Sequence, residues 1–107
     1  MQSVKNQTSL QAKISGLELG RFRLKNGVNE ADLHTAYELM IASHLSEQNG
    51  WCNQHLVKLG DGVFLDIAFA LTEDHAKAIC ASWRNQPVCD AFLALIEPES
   101  MEFGTIL

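Results

Sequence analysis

The stretch that decides the fold runs from Trp51 to Thr72 and reads WCNQHLVKLG-DG-VFLDIAFALT. Asp-Gly separates two runs of strand-forming residues here, and this arrangement is a strong signal for a two-residue hairpin turn of type I′. Such a turn fixes which residues of the two strands are paired. It places Gly60 opposite Val63, so that His55 is expected to face Ala68.

This register divides the hairpin side chains between two faces of a sheet. The face with the solid aliphatic run is expected to lie under helices, and it carries Cys52, Gln54, Leu56, Lys58, Leu65, Ile67, Phe69 and Leu71. The other face carries Trp51, Asn53, His55, Val57, Leu59, Phe64, Asp66, Ala68 and Ala70. Because the second face is too apolar for water and no further element remains to cover it, we expect a second copy of the chain there, in a two-fold homodimer.

Patterns on both sides of the hairpin predict the remaining elements. Side chains alternate in the first of them, and apolar residues recur at helical spacing in the next three. Capping residues and prolines mark the helix ends. The predicted elements are a strand over 16–25, a long helix from Asn29 to about Gln48, a helix after Thr72, a short helix from Pro87 to about Pro98, and a closing strand over 100–107.

The order is therefore β-α-β-β-α-(α)-β. This is the ferredoxin-like α+β arrangement, in which helices cover one face of an antiparallel sheet. The 107 residues are enough for one domain with one core, which we place at 16–107. The polar, aperiodic residues 1–15 are expected to form a flexible tail.

Composition excludes several classes of function. The net charge is −5 and there is no basic run, which argues against nucleic-acid binding. No signal peptide or membrane-spanning run is present, so the chain is expected to be cytoplasmic with no membrane partner. The cysteines Cys52, Cys80 and Cys89 have no metal-binding spacing and are expected to be free thiols, with Cys89 near a helix start as the one to watch. Neither a metal nor a cofactor is expected.

One candidate site lies on the predicted dimer face. His55 and Asp66 are diagonal neighbours in the predicted register, and Asn53 shares their face. A carboxylate can orient an imidazole and raise its basicity, as a general base requires. The alternative is a polar pair that is satisfied across the dimer interface.

A second candidate site lies on the long helix. Tyr37 is on its apolar stripe, His34 and His44 are near the edges of that stripe, and Trp83 can meet it from the next helix. These side chains, with Trp51 at the start of the hairpin, suit an aromatic ligand, and a histidine among aromatic residues can also ligate haem. The alternative is ordinary core packing, with the Tyr37 hydroxyl at the rim.

Several segments together resemble a known group. They are GRFRLK over 20–25, Gln48-Asn49-Gly50-Trp51, VFLDIAFAL over 63–71, AICASWRNQPV over 78–88, and AFLALIEPES over 91–100. With these segments the chain resembles the dimeric α+β barrel superfamily, especially its antibiotic-biosynthesis-monooxygenase-like branch, over roughly 16–107. The resemblance implies two sheets paired into a barrel and a pocket between sheet and helices of one subunit. The group includes cofactor-free oxygenases of aromatic polyketides, haem-degrading enzymes, cyclases and isomerases.

From residues and resemblance together, we expect a homodimer that binds a hydrophobic or aromatic small molecule. A first alternative is a cofactor-free monooxygenase or cyclase that acts on an aromatic, polyketide-like substrate through a histidine base, with Tyr37 as hydrogen-bond donor. A second alternative is an interaction module without a ligand.

Overall fold

Four strands and three helices follow one another in the predicted order in the computed structural model, which describes residues 14–107. The sheet has the strand order β2-β3-β1-β4, with antiparallel neighbours throughout. The ferredoxin-like α+β prediction is confirmed. The elements are β1 (Gly16–Leu24), α1 (Glu30–Ser43), a 3₁₀ turn (Leu45–Glu47), β2 (Trp51–Lys58), β3 (Val63–Ala70), α2 (Glu73–Ala81), α3 (Pro87–Leu93) and β4 (Ile96–Thr105).

The predicted tail over 1–15 lies outside the described residues except for its last two. Of these, Ser15 donates its backbone N–H to the Leu71 carbonyl at 3.1 Å and accepts from the N–H of Ile106 at 2.7 Å. The described chain thus joins the hydrogen-bonded sheet before β1 begins. No helix in the described part of the chain is long and apolar enough to cross a membrane.

The helix starts follow the capping signals of the sequence. The Asn29 side chain accepts a hydrogen bond from the backbone N–H of Asp32 at 2.8 Å, and the Thr72 hydroxyl accepts one from His75 at 3.1 Å. Each bond satisfies a backbone donor that has no partner within its helix. Pro87 lies in the first turn of α3, where its missing N–H costs nothing.

Two predicted helix ends are wrong. The long helix ends at Ser43 instead of near Gln48, because the chain tightens into a 3₁₀ turn before Gly50. The short helix ends at Leu93, and β4 already begins at Ile96 and includes Pro98. A proline is tolerated in this strand because β4 is an edge strand and its pairing with β1 is irregular beside Pro98.

The hairpin contains the predicted turn and one additional residue. Asp61 and Gly62 have positive φ angles of 59° and 76°, as a type I′ turn requires. However, Val63 accepts a hydrogen bond from the N–H of Leu59 at 2.8 Å and donates one to the carbonyl of Gly60 at 3.3 Å. Leu59 and Gly60, which directly follow β2, therefore both oppose the single residue Val63 of β3, and this arrangement is a β-bulge.

This hairpin bulge makes the predicted register wrong by one residue. Gln54 pairs with Ala68, and Leu56 pairs with Asp66. A shift of one residue moves the side chains of one strand to the opposite face relative to the other strand. Gln54, Leu56 and Lys58 lie on the face covered by the helices, as predicted. For β3, the residues predicted to face the helices face the open side, and the reverse. Phe64, Asp66, Ala68 and Ala70 face the helices, whereas Leu65, Ile67 and Phe69 face the open side.

The core fills the space between the sheet and the helices. Phe22 of β1 stacks on Phe64 of β3 with ring centroids 5.7 Å apart, and Phe92 of α3 meets Phe22 edge-on at 5.8 Å. Leu33, Met40 and other buried residues of α1 complete this layer. The aromatic residues pack toward α3 and leave a space between β1, β4 and the end of α2.

Candidate functional site

A cavity of about 410 Å³ lies between the sheet and the helices and opens toward β4. It is formed by residues from β1, β3, the end of α2, α3 and β4. We call it the central cavity. Its walls are mainly apolar, and its apolar lining comprises Phe22, Trp83, Phe92, Leu93, Ile96, Pro98 and Met101. This volume lies within the range of small-molecule sites, about 300–1,000 Å³.

Two buried acids lie in the wall of the central cavity. Glu18 is 4% exposed and Asp66 is 6% exposed. Glu18 pairs with Ala68, and Asp66 pairs with Gly20, so the two carboxyl groups lie diagonally on the same face of adjacent strands. Gly20 has no side chain, which leaves the space beside Asp66 open to the cavity.

Asp66 is held by side chains from two other elements. The Tyr37 hydroxyl of α1 donates to Asp66 Oδ1 at 2.7 Å, and the Gln54 amide of β2 donates to the same oxygen at 2.9 Å. The indole N–H of Trp51 donates in turn to Gln54 Oε1 at 2.9 Å. These three bonds fix the position of a carboxyl group that would otherwise be costly to bury.

The two acids hold their protons more tightly than free acids do. Burial raises the pKa of Glu18 to about 7, the nearby Asp66 adds to the rise, and the Cys80 thiol opposes it by hydrogen bonding. Burial also raises the pKa of Asp66, against the hydrogen bonds from Tyr37 and Gln54. Near neutral pH, Glu18 is therefore present in both its charged and its protonated form, and it can accept or donate a proton in the cavity.

Burial raises the pKa of two cysteine thiols, of which Cys80 lines the cavity. Burial is the main cause that raises the pKa of the Cys80 thiol to about 12, and the charge of Glu18 is the second. The Cys80 sulfur lies 3.8 Å from Met101 Sδ. Cys89 is fully buried, and burial together with the charge of Asp90 raises its pKa to about 11. Because the thiolate is the reactive form, both thiols are inert at neutral pH. All three cysteines are free.

The structure brings together four of the residues singled out from the sequence. Tyr37 and Asp66 are hydrogen-bonded, and Trp51 reaches Asp66 through Gln54. Trp83 lines the central cavity and packs edge-on against Phe92 with centroids 6.0 Å apart. Trp51 was expected on the dimer side, but a second irregularity of β2, between Trp51 and Asn53, places it with the core.

The predicted pair of His55 and Asp66 does not form. His55 lies on the open face. Its ring packs edge-on against the Phe69 ring, and its Nε2 is 3.0 Å from Asn53 Oδ1. Asp66 lies on the opposite face. The prediction was wrong because the bulge at Leu59 and Gly60 shifts the register by one residue, so that His55 and Asp66 lie on opposite faces of the sheet.

The helix histidines also lie away from the cavity. His34 is exposed, with its Nε2 3.5 Å from Glu38. His44 caps the end of α1, and its Nε2 lies 3.0 Å from the Ser82 hydroxyl, which donates to the carbonyl of Ile79 at 2.6 Å. Because the Ser82 proton is directed to a carbonyl, this pair links two helix ends and does not form a nucleophile with its base.

Sequence reasoning missed Glu18, Gln54 and Cys80. Only Glu18 carried a usable signal. It alternates on one face with Phe22 and Leu24, and a charged residue on an otherwise apolar strand face indicates a buried acid. Within residues 14–107, no group of three or more His, Cys, Asp or Glu side chains is arranged to hold a metal ion.

No family model and no curated protein matches the chain. Several solved structures do. SnoaB, a cofactor-independent oxygenase from Streptomyces nogalater, is 18% identical with a TM-score of 0.67, over 88% of this chain and 94% of that one. NE2512, a protein of unknown function from Nitrosomonas europaea, is 19% identical with a TM-score of 0.65, over 89% and 91%.

A putative antibiotic biosynthesis monooxygenase from Chloroflexus aurantiacus J-10-fl is 17% identical with a TM-score of 0.58, over 88% of this chain and 93% of that one. The chain resembles the antibiotic-biosynthesis-monooxygenase-like proteins in fold. The resemblance predicted from the sequence is confirmed at that level. Function has to be argued from the site itself.

Proposed function

We propose that this protein binds a hydrophobic or aromatic small molecule in the central cavity. The observation that carries the proposal is a cavity of about 410 Å³ with aromatic walls and two buried carboxyl groups at one side. Apolar walls supply affinity through buried area, and a few fixed polar groups supply orientation. One of those polar groups, Asp66, is held in place by hydrogen bonds from Tyr37 and Gln54, and Gln54 in turn accepts one from Trp51.

We also propose that the protein acts as a homodimer. The open face of the sheet carries apolar side chains from three strands, and these side chains are only half-buried in the single chain. They are Leu17, Leu19, Val57, Leu65, Ile67 and Phe69. A second copy that packs sheet to sheet about a two-fold axis would remove this face from water.

The binding proposal is tested by filling the cavity. A side chain at Gly20 would point into it, and an added Cβ would lie 3.7 Å from the Asp66 Cβ, an ordinary contact. We expect anthrone, a rigid aromatic probe, to raise the melting temperature of the wild type and to have no effect on Gly20→Val. The matched control is Gly60→Val in the hairpin turn, away from the cavity, where an added Cβ would meet no atom within 4 Å. A wild-type protein that does not respond to anthrone would count against the proposal.

A second candidate function is a cofactor-free oxygenase or cyclase. The observation that favours it is Glu18, because a carboxyl group with a pKa of about 7 in an apolar cavity suits a general base at neutral pH. Here Glu18 replaces the histidine base that the sequence suggested. Oxygen uptake with anthrone is then expected in the wild type and in His55→Gln, and it is lost in Glu18→Gln while binding remains. Binding without oxygen uptake in all three would leave the protein a binder, and no binding in any would favour an interaction module.

A further inference from the structure

The charge inside the central cavity is one-sided. Its two buried charged side chains, Glu18 and Asp66, lie on the face of the sheet that the helices cover, and both are acids. Within residues 14–107, neither forms an ion pair with a lysine, arginine or histidine. Arg21 lines the rim, but its Nε lies 3.2 Å from Glu99 Oε1, a carboxylate that Arg23 Nε also contacts at 2.8 Å, and Arg21 forms no ion pair with either buried acid.

The acids also have free acceptor capacity toward the cavity. Both protein donors to Asp66 go to the same oxygen, Oδ1. Every fully buried side-chain oxygen or nitrogen in the described chain has a hydrogen-bond partner, so the remaining carboxyl oxygens are those that reach open space. A carboxylate only accepts hydrogen bonds, and the complementary group is therefore a donor, best a charged one.

The aromatic walls favour the same charge. Phe22 and Trp83 each meet Phe92 edge-on, at interplanar angles of 82° and 74°, and all three rings line the cavity. The faces of such rings carry partial negative charge and attract cations. Carboxylates and aromatic rings around one space are a common environment for an organic ammonium group.

We propose that the central cavity selects an aromatic amine in its ammonium form, with the ammonium group between Glu18 and Asp66 and the aromatic body against Phe22, Trp83 and Phe92. This inference rests on the proposed binding function and names its ligand class. An aromatic acid of the same shape is repelled by the same two carboxyl groups. A neutral alcohol keeps the apolar contacts and loses the charge.

Binding of an ammonium group is linked to the proton on Glu18. The cation stabilises the carboxylate form, so binding expels the proton that Glu18 holds below pH 7 or so. Affinity for the amine therefore rises as pH increases from 6 to 8. The titratable groups that face or flank Glu18 are Asp66 of β3, Tyr37 of α1, Cys80 of α2, Arg21 of β1 and Glu99 of β4.

Three probes of nearly equal size test the charge preference: 2-naphthylmethylamine, 2-naphthylmethanol and 2-naphthoate. At pH 8, isothermal titration calorimetry is expected to show the amine binding about tenfold or more tighter than the alcohol, and the carboxylate weakest. In buffers of different ionisation enthalpy, the heat of amine binding near pH 7 should change and that of alcohol binding should not.

Glu18→Gln keeps the shape of the side chain and removes its charge. We expect this variant to lose most of the preference for the amine while its affinity for the alcohol stays within about twofold. Glu47→Gln is the matched control, since Glu47 is exposed in the 3₁₀ turn after α1, away from both the central cavity and the open face. This variant should bind all three probes as the wild type does.

The outcomes separate the inference from the proposed function. If the alcohol or the carboxylate binds as tightly as the amine, or if Glu18→Gln keeps the full preference, the ammonium inference is overturned and the cavity remains a binding site. If none of the probes binds to the wild type, both the binding function and the inference fail.

Discussion

Glu18 is an acid that is placed against an apolar wall, and its ionisation costs the fold free energy. Its pKa is about 7 in the folded chain, against 4.5 for the free acid. Between these two values the native state binds more protons than the unfolded state. The stability associated with the protonated group is therefore complete below about pH 4.5 and is lost as pH rises through about 7.

Replacement of Glu18 by Gln should remove this pH dependence. At pH 8 we expect Glu18→Gln to be about 2 to 3 kcal/mol more stable than the wild type, because no charge has to be buried. At pH 4 the two proteins should be equally stable. Urea unfolding at both pH values measures the difference, with the exposed Glu47→Gln as control. A variant that is less stable at pH 8 would show that the Glu18 carboxylate has a favourable partner.

Tyr37 stabilises the other acid. Its hydroxyl donates to Asp66 at 2.7 Å in a buried site, and Tyr37→Phe leaves that oxygen with one donor less. We expect a loss of about 1 to 3 kcal/mol in the free energy of unfolding. In a double-mutant cycle with Asp66→Leu, which has no acceptor atom, the two losses should not add, because either change alone removes the same bond. Additive losses would show that the hydrogen bond contributes nothing to stability.

At the scale of elements, the hairpin turn depends on glycine at one position and not at its neighbour. Gly62 has a φ of 76°, which is unfavourable for residues with a Cβ, whereas an alanine Cβ at Gly60 would meet no atom within 4 Å. Gly62→Ala should therefore cost about 1 kcal/mol of stability, and Gly60→Ala should cost almost nothing. Thermal unfolding of the two variants checks the turn. Equal losses would indicate a different turn conformation.

The elements themselves could be predicted because their signals are local. Asn29 and Thr72 each begin a helix through a bond only three residues long, and Asp61-Gly62 forms the expected turn. The bulge could not be predicted in this way. Val63 to Leu71 is apolar on both of its faces except at Asp66, so either register buries apolar side chains. In the observed register Asp66 meets Tyr37 and Gln54, which lie 29 and 12 residues before it, and no local pattern in β3 indicates these contacts.

At the scale of the whole molecule, the proposed homodimer depends on the open face of the sheet. Ile67→Lys places a charge at the centre of that face, on the strand between β2 and β1. We expect this variant to elute as a monomer of about half the wild-type mass in size-exclusion chromatography with light scattering. Leu39→Lys is the matched control, because Leu39 is 54% exposed on α1, on the opposite side of the molecule. A wild-type monomer would contradict the dimer.

The central cavity is formed by residues from several elements, and for this reason little of it could be predicted from the sequence. Glu18, Asp66, Cys80 and Met101 lie on four different elements and meet only when the sheet and helices are assembled. No spacing along the chain reflects that proximity. Tyr37 and Trp83 were found because helical periodicity points them to the core, whereas His34 and His55 were chosen for their chemistry and lie on the surface.

Because of the bulge at Leu59 and Gly60, the length of the hairpin connection determines which side chains of β2 lie beside Asp66. Deletion of one codon there would restore the simple hairpin and turn β2 over, so that Asn53 and His55 would replace Gln54 beside Asp66. A histidine–aspartate pair would then exist under the helices without a single substitution. In evolutionary terms, an acid held by an amide and one poised to assist a base are separated here by three nucleotides.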